Sequence, residues 1–180
     1  MILIKYVIGI GLAALTLFSC SNEKSLQRYL VDRQDDDTFL KVDIAASLLQ
    51  ANDADFSQEE KDILATVKKI NVVAFPIKGE NAANYDTNKQ ELKDIINQDQ
   101  YKTLMKFGSN NKGAVLKYLG EEESIDEIIV FASDDEKGFA LFRLLGDNMN
   151  PAQMIKLMNS IDKGDMDISS LKSIGNIFDM

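Results

Sequence analysis

The chain has 180 residues, of which 20 are basic and 29 acidic, so its formal net charge at neutral pH is −9. An acidic chain without a basic cluster is repelled by nucleic acid, which excludes that class of partner. Histidine is absent and a single cysteine is present. This composition excludes Ser-His-Asp and Cys-His catalysis and histidine-ligated zinc. Apolar residues make up 45% of the chain, which is enough for the core of one folded domain.

The first twenty residues have the layout of an export signal that ends at a lipidated cysteine. Lys5 precedes an uncharged apolar run over residues 6–18, which is shorter than the ~20 apolar residues that a membrane-spanning helix needs. Residues 17–20 (LFSC) resemble the lipobox of bacterial lipoproteins, with Leu three positions before the cysteine. This resemblance implies that residues 1–19 are removed as a signal peptide. It also implies that the Cys20 sulfur carries diacylglycerol, with a further acyl chain such as palmitate on the new amino terminus.

An uncleaved anchor helix over about residues 2–18 is the alternative, and Phe18 departs from the small residue usual in a lipobox. Either interpretation places the remaining chain outside the cytoplasm. Residues 20–37 are polar and charged, and we predict that they form the lipidated N-terminus and a tether that contains a short helix over residues 26–31. One domain over residues 38–180 is then expected, without a disulfide, because there is no second cysteine.

The segments that follow predict two strands and two helices. Alternating apolar residues predict a half-buried strand over 39–44, and a Ser-x-x-Glu capping box predicts a helix from about 58 to 69. The apolar run over 70–77 predicts a second strand, because it is rich in β-branched residues. A second capping box, which starts at Thr87, predicts a helix that ends near Asn97.

From residue 101 the apolar period changes to two, and four candidate strands follow in a row. Their connections are short and contain Gly or acidic residues, so neighbouring strands must run antiparallel. An Asn-Pro pair at 150–151 then begins a helix, and a last amphipathic helix is expected after Gly164. We therefore predict an α+β domain with a mainly antiparallel sheet of five to six strands, helices packed on one face, and C-terminal helices. The four candidate strands are 101–107, 114–119, 125–133 and 139–145.

The order of these segments resembles a family of small lipoproteins from Bacteroidota that is known as DUF4252, a domain of unknown function. The resemblance covers the later two-thirds of the chain, and its most recognisable part is the phrase FALFRLLGD over residues 139–147, followed by a helix. The resemblance implies an exported α+β lipoprotein without assigned catalysis, and it implies no active-site residue. The other supporting segments are 38–46, 70–77, 101–107, 125–133 and 138–146.

Carboxylates are the remaining candidates for catalysis or metal binding. Residues 121–123 (EEE) and 134–136 (DDE) lie in loops at the two ends of one predicted strand, ~25–30 Å apart, which argues against an active pair. We interpret the second loop as an ordinary hairpin loop. Residues 162–169 lack the Gly and the last Glu of a calcium-binding loop. Met154 and Met158 are expected to fill core gaps, whereas a solvent-exposed stripe of Met and Ile on the last helix would indicate a binding surface.

We therefore predict a non-catalytic lipoprotein of the cell envelope, a binding or scaffolding module without cofactor or metal. Lipid at Cys20 holds it at a bacterial membrane, with the outer membrane favoured, and its expected partner is an envelope protein or an apolar ligand. A carboxylate-based hydrolase and a lipid carrier are the alternatives. Two carboxyl groups within ~10 Å in a cleft favour the hydrolase. A closed apolar cavity of several hundred Å³ favours the carrier, and a filled core with an exposed apolar patch favours protein binding.

Overall fold

The computed structural model describes residues 24–45, 47, 56–109 and 111–154. They form one six-stranded sheet in the order β1-β2-β6-β5-β4-β3, in which every neighbouring pair is antiparallel. The strands are β1 (Leu40–Ala45), β2 (Val67–Pro76), β3 (Lys102–Gly108), β4 (Lys112–Glu121), β5 (Ser124–Asp134) and β6 (Gly138–Met149). The helices are α1 (Leu26–Asp32), α2 (Gln58–Ala65) and α3 (Tyr85–Ile96), and a 3-10 helix (Gly79–Asn84) leads into α3.

The sheet separates two apolar cores, because successive side chains of a strand point to opposite sides. We call face A the side that bears Ile70 and Val72 of β2, and face B the side that bears Val73 and Phe75. The α+β class and the antiparallel sheet are confirmed. The prediction that the helices share one face holds for α1 and α3, which contribute to the core of face B, but is wrong for α2, which packs on face A.

Face B has an aromatic core. Phe75 and Phe139 stack with their ring centroids 5.5 Å apart, and the other rings of the cluster follow at centroid separations of up to 6.4 Å. Leu92 and Ile96 of α3 are buried against these rings. Aromatic rings bury more area than most side chains, so this cluster fixes α3 over the sheet. The rings belong to Tyr29, Phe39, Phe75, Tyr85, Phe131 and Phe139.

Face A has an aliphatic core that is concentrated at one end of the sheet. Ile63 and Leu64 of α2 pack there with Ile70, and Met149 and Met154 are both buried in the same cluster. Met154 therefore fills the core as expected, Met149 does so as well, and Met158 lies outside the described residues. Residues 151–154 begin the helix predicted after the Asn-Pro pair, and the rest of the predicted C-terminal helices lies outside the described residues.

The predicted tether is wrong for residues 24–37. Leu26 and Tyr29 of α1 are fully buried in the core of face B, and the Lys24 Nζ lies 2.7 Å from the Glu91 carboxylate of α3. Arg33 donates a hydrogen bond to the same carboxylate and lies over the ring of Tyr29. Two apolar residues spaced three apart give α1 a buried side, and the charged residues around them form its outer side. The folded domain therefore includes Lys24 and does not begin at residue 38.

Two helix boundaries also differ from those predicted. Helix α2 ends at Ala65, because the Thr66 hydroxyl donates to the Ile63 carbonyl and β2 begins at Val67. Helix α3 begins at Tyr85, so Thr87 lies inside the helix and caps nothing. The ring of Tyr85 packs on the aromatic core of face B, and this burial moves the helix start three residues towards the 3-10 helix.

Candidate functional site

The carboxylates singled out in the sequence do not come together. Residues 121–123 lie at the start of the β4–β5 turn and residues 134–136 at the β5–β6 turn, so the 11 residues of β5 separate them. At ~3.3 Å per residue, that strand is about 35 Å long. The prediction that these groups form no active pair is consistent with this geometry. Cys20 and residues 162–169 lie outside the described residues.

The loop at the β5–β6 turn has structural partners. The Tyr85 hydroxyl donates to the Asp135 carboxylate at 2.9 Å, and Lys89 forms an ion pair with the same group. The hydrogen bond from Lys89 is the main reason that the pKa of Asp135 lies below its usual value. The Asp134 carboxylate lies 3.1 Å from the Lys112 ammonium across the strand pair. These contacts pair Asp134 and Asp135 with lysines and tie the hairpin loop to the start of α3.

Face B contains a row of polar residues that the sequence analysis did not single out. We call it the polar row: Asp43, Asn71, Arg143 and Lys117 lie on strands β1, β2, β6 and β4, with Ile129 of β5 completing the register between Arg143 and Lys117. The Asn71 amide donates to the Asp43 carboxylate. Lys117 is buried, and burial together with the charge of Lys106 lowers its pKa.

An ion pair lies at the centre of the polar row. The Arg143 Nη2 donates to the Glu127 Oε2 at 2.8 Å, and the two side chains are only 8% and 6% exposed. Gln27 of α1 accepts a second hydrogen bond from Arg143. The remaining polar atoms, Glu127 Oε1 and Arg143 Nε, are buried without a partner among the described residues. Tyr101 is buried nearby, and burial and the charge of Glu127 raise its pKa to about 12, so it stays protonated.

The polar row does not have the arrangement of a carboxylate-based hydrolase. Asp43 and Glu127 stand three strands apart, and strands are ~4.8 Å apart, so their backbones are about 14 Å from each other. Arg143 lies between the two and pairs with Glu127. Among the described residues no group of three or more Asp, Glu or Cys side chains is placed to hold a metal ion. The polar row is joined to α1 by the hydrogen bond from Arg143 to Gln27, and Asp43 forms its exposed end.

Face A carries an open groove beyond the end that α2 covers. Ala114, Ala132 and Ala140 are opposite one another in the register of β4, β5 and β6, and Phe107 of β3 continues the same row. We call this feature the alanine groove. It has a volume of about 490 Å³, is open to solvent, and has Phe142 as a further wall. Small side chains set between larger ones lower the surface locally, so the register itself creates the groove.

Strand β3 forms the outer rim of the alanine groove and one edge of the sheet. Met105 and Phe107, which point to face A, are 37% and 59% exposed. Lys106 points to face B and has no hydrogen bond or ion pair among the described residues. No strand within the described ranges pairs with the outer side of β3. The edge therefore offers free backbone groups, two exposed apolar side chains and an unpaired cation.

The alignment of the alanines could be inferred from the sequence only with the register in hand. Asp134 pairs with Gly138 across the β5–β6 turn, which places Ala132 opposite Ala140. Counting outward from the predicted hairpin loop would have found this pair. The third alanine depends on the β4–β5 register, which shifts at a bulge between Leu119 and Gly120. A bulge of this kind leaves little trace in a sequence.

Comparisons with known proteins give a family and no activity. No curated protein and no solved structure matches the chain. No helix among the described residues is long and apolar enough to cross a membrane. Residues 29–157, well over half of the chain, match one protein family, and that match starts within α1 and runs through all six strands. The chain belongs to the family described as Domain of unknown function (DUF4252).

Proposed function

We propose that this protein is a non-catalytic binding module of the bacterial cell envelope, which docks a protein partner in the alanine groove. The observation that carries the proposal is the apolar, solvent-open groove on face A with Phe107 on its rim. Apolar surface that is continuous and open usually marks an interaction site. Among the described residues, buried side chains form the cores of face B and of the α2 end of face A, whereas the groove is open to solvent.

The groove offers enough apolar surface for useful affinity. Phe107 is 59% exposed, and an aromatic side chain carries roughly 200 Å² of surface, so a partner could remove on the order of 100 Å² from water at this residue. At about 25 cal/mol per Å² this contributes about 2–3 kcal/mol. Such a buried aromatic anchor is typical of the few residues that dominate a protein interface. Met105, on the same side of β3, adds to it.

A cross-linking experiment in cells tests this proposal. A photoreactive phenylalanine at position 107 of the full-length protein should give a discrete covalent product with another protein. The matched control is position 31, because Val31 is also exposed at 54% but lies on α1, at face B. Ala114→Leu, which fills the groove, should abolish the product from position 107. Equal products from both positions, or a product that survives Ala114→Leu, would contradict the proposal, and cross-linked lipid in place of protein would show a lipid carrier.

The membrane anchor is a separate part of the proposal. The lipobox at residues 17–20 supports lipid attachment at Cys20. Cys20→Ser should shift the protein from the membrane fraction to the soluble fraction and remove the mass of the acyl chains. Ser19→Ala keeps a small residue before the cysteine and serves as the control that retains both. If the Cys20→Ser protein stays in the membrane fraction with an unchanged mass, lipid attachment at this residue is wrong.

A further inference from the structure

We infer that β3 receives an extended, acidic and apolar segment of the partner as an additional antiparallel or parallel strand of the sheet. This inference rests on the proposed function, because the added strand would border the alanine groove. An unpaired edge strand presents a row of backbone N–H and C=O groups that can pair with another chain. No described strand takes the outer side of β3, and most of its residues are exposed.

The charge of this edge selects the partner. Strand β3 carries Lys102 and Lys106 and no acidic residue, and the neighbouring β4 adds the exposed Lys112, whereas Lys117 is buried. These lysines stand out in a chain with a net charge of −9. Lys112 is paired with Asp134, but Lys106 has no ion pair among the described residues. An acidic strand would supply the missing counter-charge, whereas a basic strand would be repelled.

The side chains of β3 indicate that the added strand should alternate between apolar and acidic residues. Met105 and Phe107 point to face A, and Lys106 points to face B. Residues opposite each other on neighbouring strands share a face, so an added strand would need apolar residues opposite Met105 and Phe107 and a carboxylate opposite Lys106. Lys102 is opposite Tyr118 and lies on face A, so its counter-charge would come from the groove side at the other end of β3. Self-association through β3 is disfavoured, because a second copy would bring its own Lys102 and Lys106 against these lysines.

A short peptide of alternating Glu and Val with blocked ends is the probe. Labelled peptide should bind full-length protein at an ionic strength of about 0.01 M, where charges act over ~30 Å, and should bind at least about tenfold more weakly at about 1 M. Hydrogen exchange should slow at residues 102–108 in the complex. Two control peptides separate the contributions: one has Lys in place of Glu, and the other has N-methylated amides along one edge, which keeps the charges but blocks strand pairing. Neither should bind measurably.

Charge reversal in the protein provides the second arm. The double variant Lys102→Glu/Lys106→Glu should bind the Glu-Val peptide at least about tenfold more weakly and should gain affinity for the Lys-Val peptide. Arg28→Glu, which reverses one charge on the exposed side of α1, should leave both affinities unchanged. If the double variant does not fold, the N-methylated peptide and the salt series on the natural sequence decide the question.

The outcomes separate this inference from the proposed function. Equal binding of the N-methylated peptide, or slowed exchange away from residues 102–108, would overturn strand addition. A dimer held through β3 would also overturn it, in favour of a second copy as the occupant. Cross-linking from position 107 without peptide binding would refute strand addition by an acidic segment and leave the groove proposal standing. Peptide binding without any cross-linked protein would support the edge site and contradict the proposed function.

Discussion

The Glu127–Arg143 ion pair allows a quantitative prediction. Arg143→Met removes the cation and leaves the Glu127 carboxylate buried on face B with the polar row around it. The charged atoms are 2.8 Å apart, so at an effective dielectric constant of about 20 the attraction that is lost amounts to about 6 kcal/mol. Part of this attraction offsets the desolvation of the two charges. We expect a decrease in the free energy of unfolding of about 3–5 kcal/mol, the usual cost of breaking a buried pair.

Urea unfolding of the full-length protein, followed by far-ultraviolet circular dichroism, measures this decrease. The double variant Glu127→Leu/Arg143→Met removes both charges and should recover stability to within about 1 kcal/mol of the natural protein, because no unpaired charge remains. Lys69→Met is the matched control, since the Lys69–Asp43 pair at 3.0 Å is largely exposed and is worth less than about 1 kcal/mol. If Arg143→Met costs no more than Lys69→Met, or if the double variant is as unstable as the single variant, the ion pair does not organise the polar row.

Three further predictions concern the turns, the helix caps and the pH dependence. Gly138→Ala should lower stability by at least about 1–2 kcal/mol in thermal unfolding, because Gly138 has a φ of +124° and an added Cβ would overlap with the Phe75 carbonyl. A smaller effect would show that the turn can relax. Ser57→Ala should lower the free energy of unfolding by about 1 kcal/mol because it removes the cap of α2, whereas Thr87→Ala, inside α3, should be neutral or slightly stabilising. Equal destabilisation by the two variants would show that Thr87 caps a helix. Burial acts to raise the pKa of Glu91, but the hydrogen bonds and charges of its basic partners outweigh it and hold this pKa below its usual value. Because the pKa of Glu91 is lower in the folded than in the unfolded state, its ionised carboxylate stabilises the fold above about pH 4.3, and this stabilisation is lost as the pH falls through the folded-state pKa. The urea midpoint should therefore decrease at low pH, and Glu91→Gln should make that decrease smaller.

The later part of the fold was predictable because its signals are local. The alternating residues of β4, β5 and β6 and the short Gly-containing turns between them specify two hairpins without information from the rest of the chain. The sequence predicted a tether at helix α1 because the segment is mostly charged, and only two of its residues, Leu26 and Tyr29, are fully buried. Their burial depends on α3, which lies some sixty residues later, and no local pattern announces such a contact.

The candidate site was less predictable, for a related reason. Arg143 stands alone as a charge in an apolar stretch of β6, which is a recognisable sign of a buried polar contact, whereas Glu127 follows Asp126 and is less conspicuous. Their pairing, however, is diagonal across β5 and β6, and the register shifts between Ile125 and Glu127. The alanine groove likewise exists only once the strands are aligned. Sequence patterns identified the strands, whereas the register between strands created both features.

The packing of α1 has a consequence for how the protein would stand on a membrane. Lys24 is held by Glu91 and by the Gln98 side chain at the helical layer of face B. Four residue steps separate Lys24 from Cys20, and a fully extended chain covers at most ~3.6 Å per step, or about 14 Å. A lipid on Cys20 would therefore keep face B close to the head groups. The alanine groove on face A would then open away from the bilayer, towards partners that approach from the aqueous side.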